Sequence, residues 1–133
     1  MDWKKELVKM ALEERNKAYA PYSKFRVGAS VMMENGKVYT GVNVENASFG
    51  ATICAERTAI VKAVSDGELK IKAVAVASDS REQTFPCGIC LQVILEFGHD
   101  DTLVLCSNNM GDFKEYKLKE LMPYYFKFQE ARD

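Results

Sequence analysis

The chain has one histidine, three prolines, one tryptophan and a formal charge of only -1 across 133 residues. Each scarcity narrows the field. With acids and bases nearly balanced and interspersed, the sequence shows no basic face or stripe of the kind that binds a phosphate backbone. A small neutral ligand fits that balance better. No apolar stretch approaches membrane-spanning length, and Met1-Asp2-Trp3-Lys4-Lys5-Glu6 is not the apolar run of a signal peptide. A cytoplasmic protein without membrane or nucleic-acid partners is therefore expected. Repeats, low-complexity segments and linkers are also missing, so residues 1–133 read as a single domain. That length buries a core without disulfide staples. The lone histidine, His99, falls in the polar loop Gly98-His99-Asp100-Asp101 and reads as solvated.

What is present is an ordinary globular composition, 47% hydrophobic and 28% charged, with four cysteines. In a reducing compartment, closely spaced cysteines more often bind metal or do redox chemistry than form disulfides. Two clusters carry them. Cys54-Ala55-Glu56-Arg57 puts a thiol two residues before a carboxylate. Pro86-Cys87-Gly88-Ile89-Cys90 puts two thiols three apart. Both sit where a helix is expected to begin.

The periodicities give the frame. Apolar residues at helical spacing predict an amphipathic helix from Trp3 to about Tyr19, ended by Pro21. Val27 to Met33 and Val38 to Asn43 flank Asn35-Gly36, the signature of a tight hairpin. A helix is expected from Cys54 to about Ser65, capped by Thr52 and ended at Asp66-Gly67. Ile71 to Ser78 and Thr102 to Ser107 are unbroken apolar runs, as in strands covered on both faces. Cys87 to Phe97 reads as a helix between them. A short strand over Phe113 to Lys117 and a small helix over Leu118 to Met122 complete the chain. The expected fold is a three-layer α/β/α sandwich around a mixed, roughly five-stranded sheet.

Catalytic zinc normally has three protein ligands and an open fourth position, whereas structural zinc is closed by four. Cys54, Cys87 and Cys90 supply three sulfurs if both helices start at one edge of the sheet. Three thiolates on a divalent ion leave net negative charge, which two helix amino termini tolerate. Arg57 would offset more of it from outside the ligand set. Glu56 is placed to move protons for a bound water. Cys106 inside Leu103-Val104-Leu105 reads as a buried thiol, although a fourth ligand there would make the site structural. A thiol oxidoreductase is the other reading of Cys87 and Cys90, and it leaves Cys54, Glu56 and Arg57 without a role.

Cys-Ala-Glu-Arg followed by Pro-Cys-x-x-Cys resembles the cytidine deaminase family in its short, homotetrameric, three-cysteine form, and general zinc-deaminase chemistry describes such a site directly. Ala20-Pro21-Tyr22-Ser23-Lys24-Phe25-Arg26-Val27-Gly28-Ala29 and Asn43-Val44-Glu45-Asn46-Ala47 extend the resemblance over nearly the whole chain. It implies one zinc per chain on Cys54, Cys87 and Cys90, with Glu56 as proton shuttle. It implies ribose contacts from Asn43 and Glu45, packing of Phe25 on the pyrimidine and a backbone contact from Ala55. The implied reaction is deamination of cytidine and deoxycytidine to the uridines, with ammonia released. In a homotetramer, Ala47-Ser48-Phe49 and Phe126 would complete a neighbour's pocket. On the residues alone, Phe25 and Phe126 also read as core aromatics, and Asn43 and Glu45 as solvated turn residues.

Overall fold

A computed structural model describes residues 2–126. Five strands, β1 (Val27–Met33), β2 (Val38–Val42), β3 (Ile71–Ser78), β4 (Leu103–Ser107) and β5 (Phe113–Lys117), form one sheet in the order β2-β1-β3-β4-β5. β1 runs antiparallel to both β2 and β3, β3 is parallel to β4, and β5 returns antiparallel. The sheet is mixed and five-stranded, as expected. Four helices accompany it: α1 (Trp3–Glu14), α2 (Ala55–Ser65), α3 (Gly88–Phe97) and the short α4 (Leu118–Leu121).

The unbroken apolar runs are explained by two separate cores. Ala73, Ala75 and Ala77 of β3 and Leu105 of β4 pack against Leu7, Val8 and Ala11 of α1. Val74, Val104 and Cys106 face the other way, against Ala59, Ile60 and Ala63 of α2 and Ile94 and Leu95 of α3. Small residues let the helices approach the sheet. A Cβ at Gly41 would lie 2.4 Å from the Ala59 amide nitrogen, and one at Gly28 would lie 2.0 Å from the Ala11 carbonyl oxygen. Glycine at these positions is a packing requirement.

This topology positions the site. Since β1 is antiparallel to both β2 and β3, the carboxyl ends of β2 and β3 lie at the same sheet edge. The chain leaves β2 towards α2 and β3 towards α3, so both helices begin at that edge, on one face.

The first helix is shorter than its periodicity predicts. It passes into a single tighter turn over Arg15–Lys17, and Ala18 is already extended. Tyr19 pairs with Val44 through hydrogen bonds from the Tyr19 amide to Asn43 O and from the Glu45 amide to Tyr19 O. Those long-range bonds outcompete continued helix well before Pro21. Asp2 caps the helix start, its carboxylate accepting from the Lys4 amide at 3.0 Å.

Candidate metal centre and adjoining cavities

Both helix starts carry a cysteine at the cap itself. Cys54, in extended backbone, precedes the first residue of α2, and Cys87 does the same for α3. Thr52 is not the cap of α2; its hydroxyl accepts from the Asn46 amide at 3.1 Å and pins the preceding loop. Val44 and Ile53 exchange two backbone hydrogen bonds of 2.9 Å, which hold the chain extended up to Cys54. Helix therefore begins only at Ala55. Cys90, one turn into α3, is buried and points to the same place.

The three sulfurs lie within 4.8 Å of one another, with 3.9 Å between Cys54 Sγ and Cys87 Sγ. Zinc–thiolate bonds of about 2.3 Å in a tetrahedron separate the sulfurs by about 3.8 Å. The donor set thus fits a single zinc ion. Cys106 is outside the cluster: it belongs to the core behind α2 and α3, and burial pushes its thiol up to about 12. A four-cysteine structural site is not what these residues build.

The electrostatics suit three sulfurs that must share negative charge. Hydrogen bonds from Cys90 first, then from Arg57 and Cys87, hold the Cys54 thiol down to about 5 against the effect of burial. Cys90, the donor to that thiolate, is pushed upward by the same bond and by burial. Arg57 places Nη2 3.7 Å from Cys54 Sγ and 3.4 Å from Thr52 O. Its Nε is buried with no hydrogen-bond partner, a donor spare beside an anionic centre. Glu56, in the first turn of α2, is 4% exposed. Desolvation raises its carboxyl to about 7, with the charge on Cys54 adding to the effect and Arg57 opposing it. An acid poised near neutrality beside a metal-binding trio can both accept and release a proton.

A cavity of about 230 Å³ opens over this group, lined by Phe25, Val27, Asn43, Thr52, Ile53, Cys54, Ala55, Glu56, Thr84, Phe85 and Cys87. A second, of about 300 Å³, lies beside it and shares Thr52; Tyr22, Ser23, Glu45, Asn46 and Phe49 form the rest of its wall. The fold thus brings Phe25, Asn43, Cys54, Ala55, Glu56 and Cys87 around one hollow and sets Glu45 in the adjoining one. Phe126 is not among the lining residues of either and is 72% exposed. His99 is exposed in its turn, accepting from the Asp101 amide.

Asn43 is more committed than its place at a strand end suggests. Its Oδ1 accepts from the Val27 amide and its Nδ2 donates to Phe25 O, both at 2.9 Å, so it holds the segment bearing Phe25 in place. One amide hydrogen and one lone pair remain for a ligand. Two wall residues, Thr84 and Phe85, escape sequence reasoning. They lie in the irregular stretch between β3 and α3, which has no periodicity to read. Thr84 is fixed by a hydrogen bond from its amide to Ser107 O and by a 2.5 Å hydroxyl contact with Ser78. Their position just before Pro86-Cys87 was the one available signal.

Among models of known families, the one described as the cytidine and deoxycytidylate deaminase zinc-binding region matches residues 1–106. The chain is 45% identical over 127 residues to a cytidine deaminase of Halalkalibacterium halodurans, with 96% of each chain covered. It is also 45% identical over 121 residues to one of Sporosarcina psychrophila, covering 91% of this chain and 89% of that one. Among solved structures, the cytidine deaminase of Burkholderia pseudomallei superposes with a TM-score of 0.87 at 41% identity, covering 91% of this chain and 97% of that one.

Proposed function

This chain belongs to the cytidine and deoxycytidylate deaminase zinc-binding family, and from that premise we propose that it hydrolyses the exocyclic amine of cytidine and 2'-deoxycytidine. Water replaces the amine at carbon 4, the products are uridine or 2'-deoxyuridine, and ammonia leaves. The observation that carries this reading is a buried carboxyl, Glu56, in the wall of the same cavity as Cys54 and Cys87, whose sulfurs converge with that of Cys90.

Zinc held by Cys54, Cys87 and Cys90 supplies, when bound, the Lewis acidity that ionises water near neutral pH. The protein's own groups do the rest. Arg57 hydrogen-bonds Cys54 Sγ and draws electron density off the sulfur, which keeps a thiolate-rich site acidic enough to work. Glu56 takes one proton from the attacking water and delivers it to the pyrimidine N3, then takes the second from the hydroxyl left on carbon 4 and passes it to the departing amine. Phe25 and Phe85, both partly exposed, offer ring faces to the base at the cavity mouth. The backbone at Ala55 meets its polar edge. Asn43, with its remaining donor and acceptor, and Glu45 in the adjoining hollow take the sugar.

The active form is a homotetramer on this reading. Phe126 is exposed and stands apart from its own chain's cavity, while Phe49 is 85% exposed at the rim of the second hollow. Both are free to complete a neighbour's pocket. A reducing, cytoplasmic setting suits a site that requires three thiolates, and the reaction places the enzyme in pyrimidine salvage. Among the described residues, no helix is long and apolar enough to cross a membrane.

The test is zinc content measured alongside ultraviolet-monitored turnover of cytidine, deoxycytidine and a cytidine-containing oligonucleotide. One zinc per chain with turnover of the nucleosides is expected. Faster turnover of the oligonucleotide, or none of any substrate by the zinc-loaded protein, overturns the proposal.

A further inference from the structure

The sugar end of the site depends on hydrogen bonds made within the adjoining hollow, away from the sulfurs and Glu56. Glu45 accepts three hydrogen bonds: Oε1 from the Tyr22 amide at 3.0 Å and the Ser23 amide at 3.1 Å, and Oε2 from the Ser23 hydroxyl. A carboxylate offers about four acceptor positions. Three are therefore filled from one short segment, and the fourth, on Oε2, is left for a ligand in the adjoining hollow. The Ser23 hydroxyl also accepts from the Phe25 amide at 3.0 Å. Between them Lys24 has φ 62°, a left-handed backbone that a lysine rarely adopts. That kink folds the segment back so that one hydroxyl reaches both the Glu45 carboxylate and the amide of the aromatic at the base-binding hollow. The same bonds hold the Glu45 carboxyl below its ordinary range, so it stays ionised.

We propose that Ser23 is a positioning residue for the nucleoside, its hydroxyl fixing Glu45 Oε2 on one side and the Phe25 amide on the other so that sugar and base are gripped in one register. Without the hydroxyl, Oε2 loses the donor that orients it, and Glu45 is held through Oε1 alone by the Tyr22 and Ser23 amides. The inference rests on the nucleoside reading above. Ser23 does not touch the sulfurs or Glu56, so its loss weakens binding and leaves the chemistry in place. Hydrogen bonds to a charged acceptor are individually strong enough to register as a several-fold change.

The experiment is steady-state kinetics of Ser23→Ala and Ser23→Thr on the zinc-loaded enzyme with cytidine, in the wild-type and Glu45→Gln backgrounds. Ser23→Ala is expected to raise KM about tenfold with kcat within about twofold, and Ser23→Thr, which keeps the hydroxyl, to restore KM. In the Glu45→Gln background, Ser23→Ala should change KM by less than about threefold, because its main partner is already altered. Equal effects of Ser23→Ala in both backgrounds, a fall in kcat in place of a rise in KM, or no rescue by threonine would overturn the proposal. Failure of the functional reading is separate: it shows as absent cytidine turnover in the wild type.

Discussion

The starts of α2 and α3 make an instructive pair. Each is capped by a cysteine in extended backbone, and each follows a strand that ends at the same sheet edge. Beyond that they diverge. After Cys54, α2 continues with Ala55, Glu56 and Arg57, a buried acid and a cation bonded back to the sulfur. After Cys87, α3 continues with Gly88, Ile89, Cys90 and Leu91, and no charge in its first turn. On the proposed function, one helix start would hold the metal with two sulfurs, and the other would give one sulfur and carry the proton and charge chemistry. Leu91 packs against the core formed by α2, α3 and the sheet, so among the described residues the cation that compensates charge at the sulfurs is Arg57. The lesson is that a symmetrical pair of helix dipoles is given different tasks by three side chains.

That division can be broken from either side. The largest effect is expected on α3: Cys87→Ala should abolish zinc retention and turnover together, measured by metal analysis and cytidine deamination on the same sample. On α2, Glu56→Gln should keep one zinc per chain and lose about 10²- to 10⁴-fold in kcat. A Glu56→Gln protein that loses its metal would put the acid in the ligand set and erase the contrast.

Arg57→Leu should cost about 10- to 100-fold in zinc affinity or turnover, as is usual for partners of a metal ligand. If it has no effect, the helix termini alone compensate the thiolates. The smallest effect lies in the approach to α3. Asp79, directly after β3, accepts from Arg26 N, Nε and Nη2 and from Arg15 Nη1, which ties the turn after α1, the entry to β1 and the loop to Cys87 into one knot. Hydrogen bonds from Arg26 hold its carboxyl below the usual range. Its folded pKa is depressed, so the stabilisation is complete above the unfolded value near 3.9 and fades as pH falls through the folded one. Asp79→Asn should therefore lower Tm by a few degrees at neutral pH, with the difference from wild type shrinking below about pH 4. A difference constant down to pH 2 would remove the charge from that account.

The metal trio was legible because cysteine spacing and expected helix starts carry the geometry together: Cys87 and Cys90 must share a helical turn, and a mixed sheet places α2 beside α3. The sheet was legible because Ala73 to Ala77 and Leu103 to Cys106 have no polar face to turn to water. What could not be read came from long-range hydrogen bonds. The bridge of Tyr19 to Val44 ended α1 before Pro21, and that of Val44 to Ile53 moved the cap of α2 from Thr52 to Cys54. Local propensity has no access to either. Thr84 and Phe85 were missed for the same reason, since a loop held by Ser107 O and the Ser78 hydroxyl has no sequence period.

The central claim is a zinc site closed on three sides by sulfur and open on the fourth, and X-ray absorption at the zinc edge of the purified protein tests it most directly. Three sulfur neighbours at about 2.3 Å and one lighter oxygen or nitrogen neighbour at about 2.0 Å are expected. A shell of four sulfurs would contradict it.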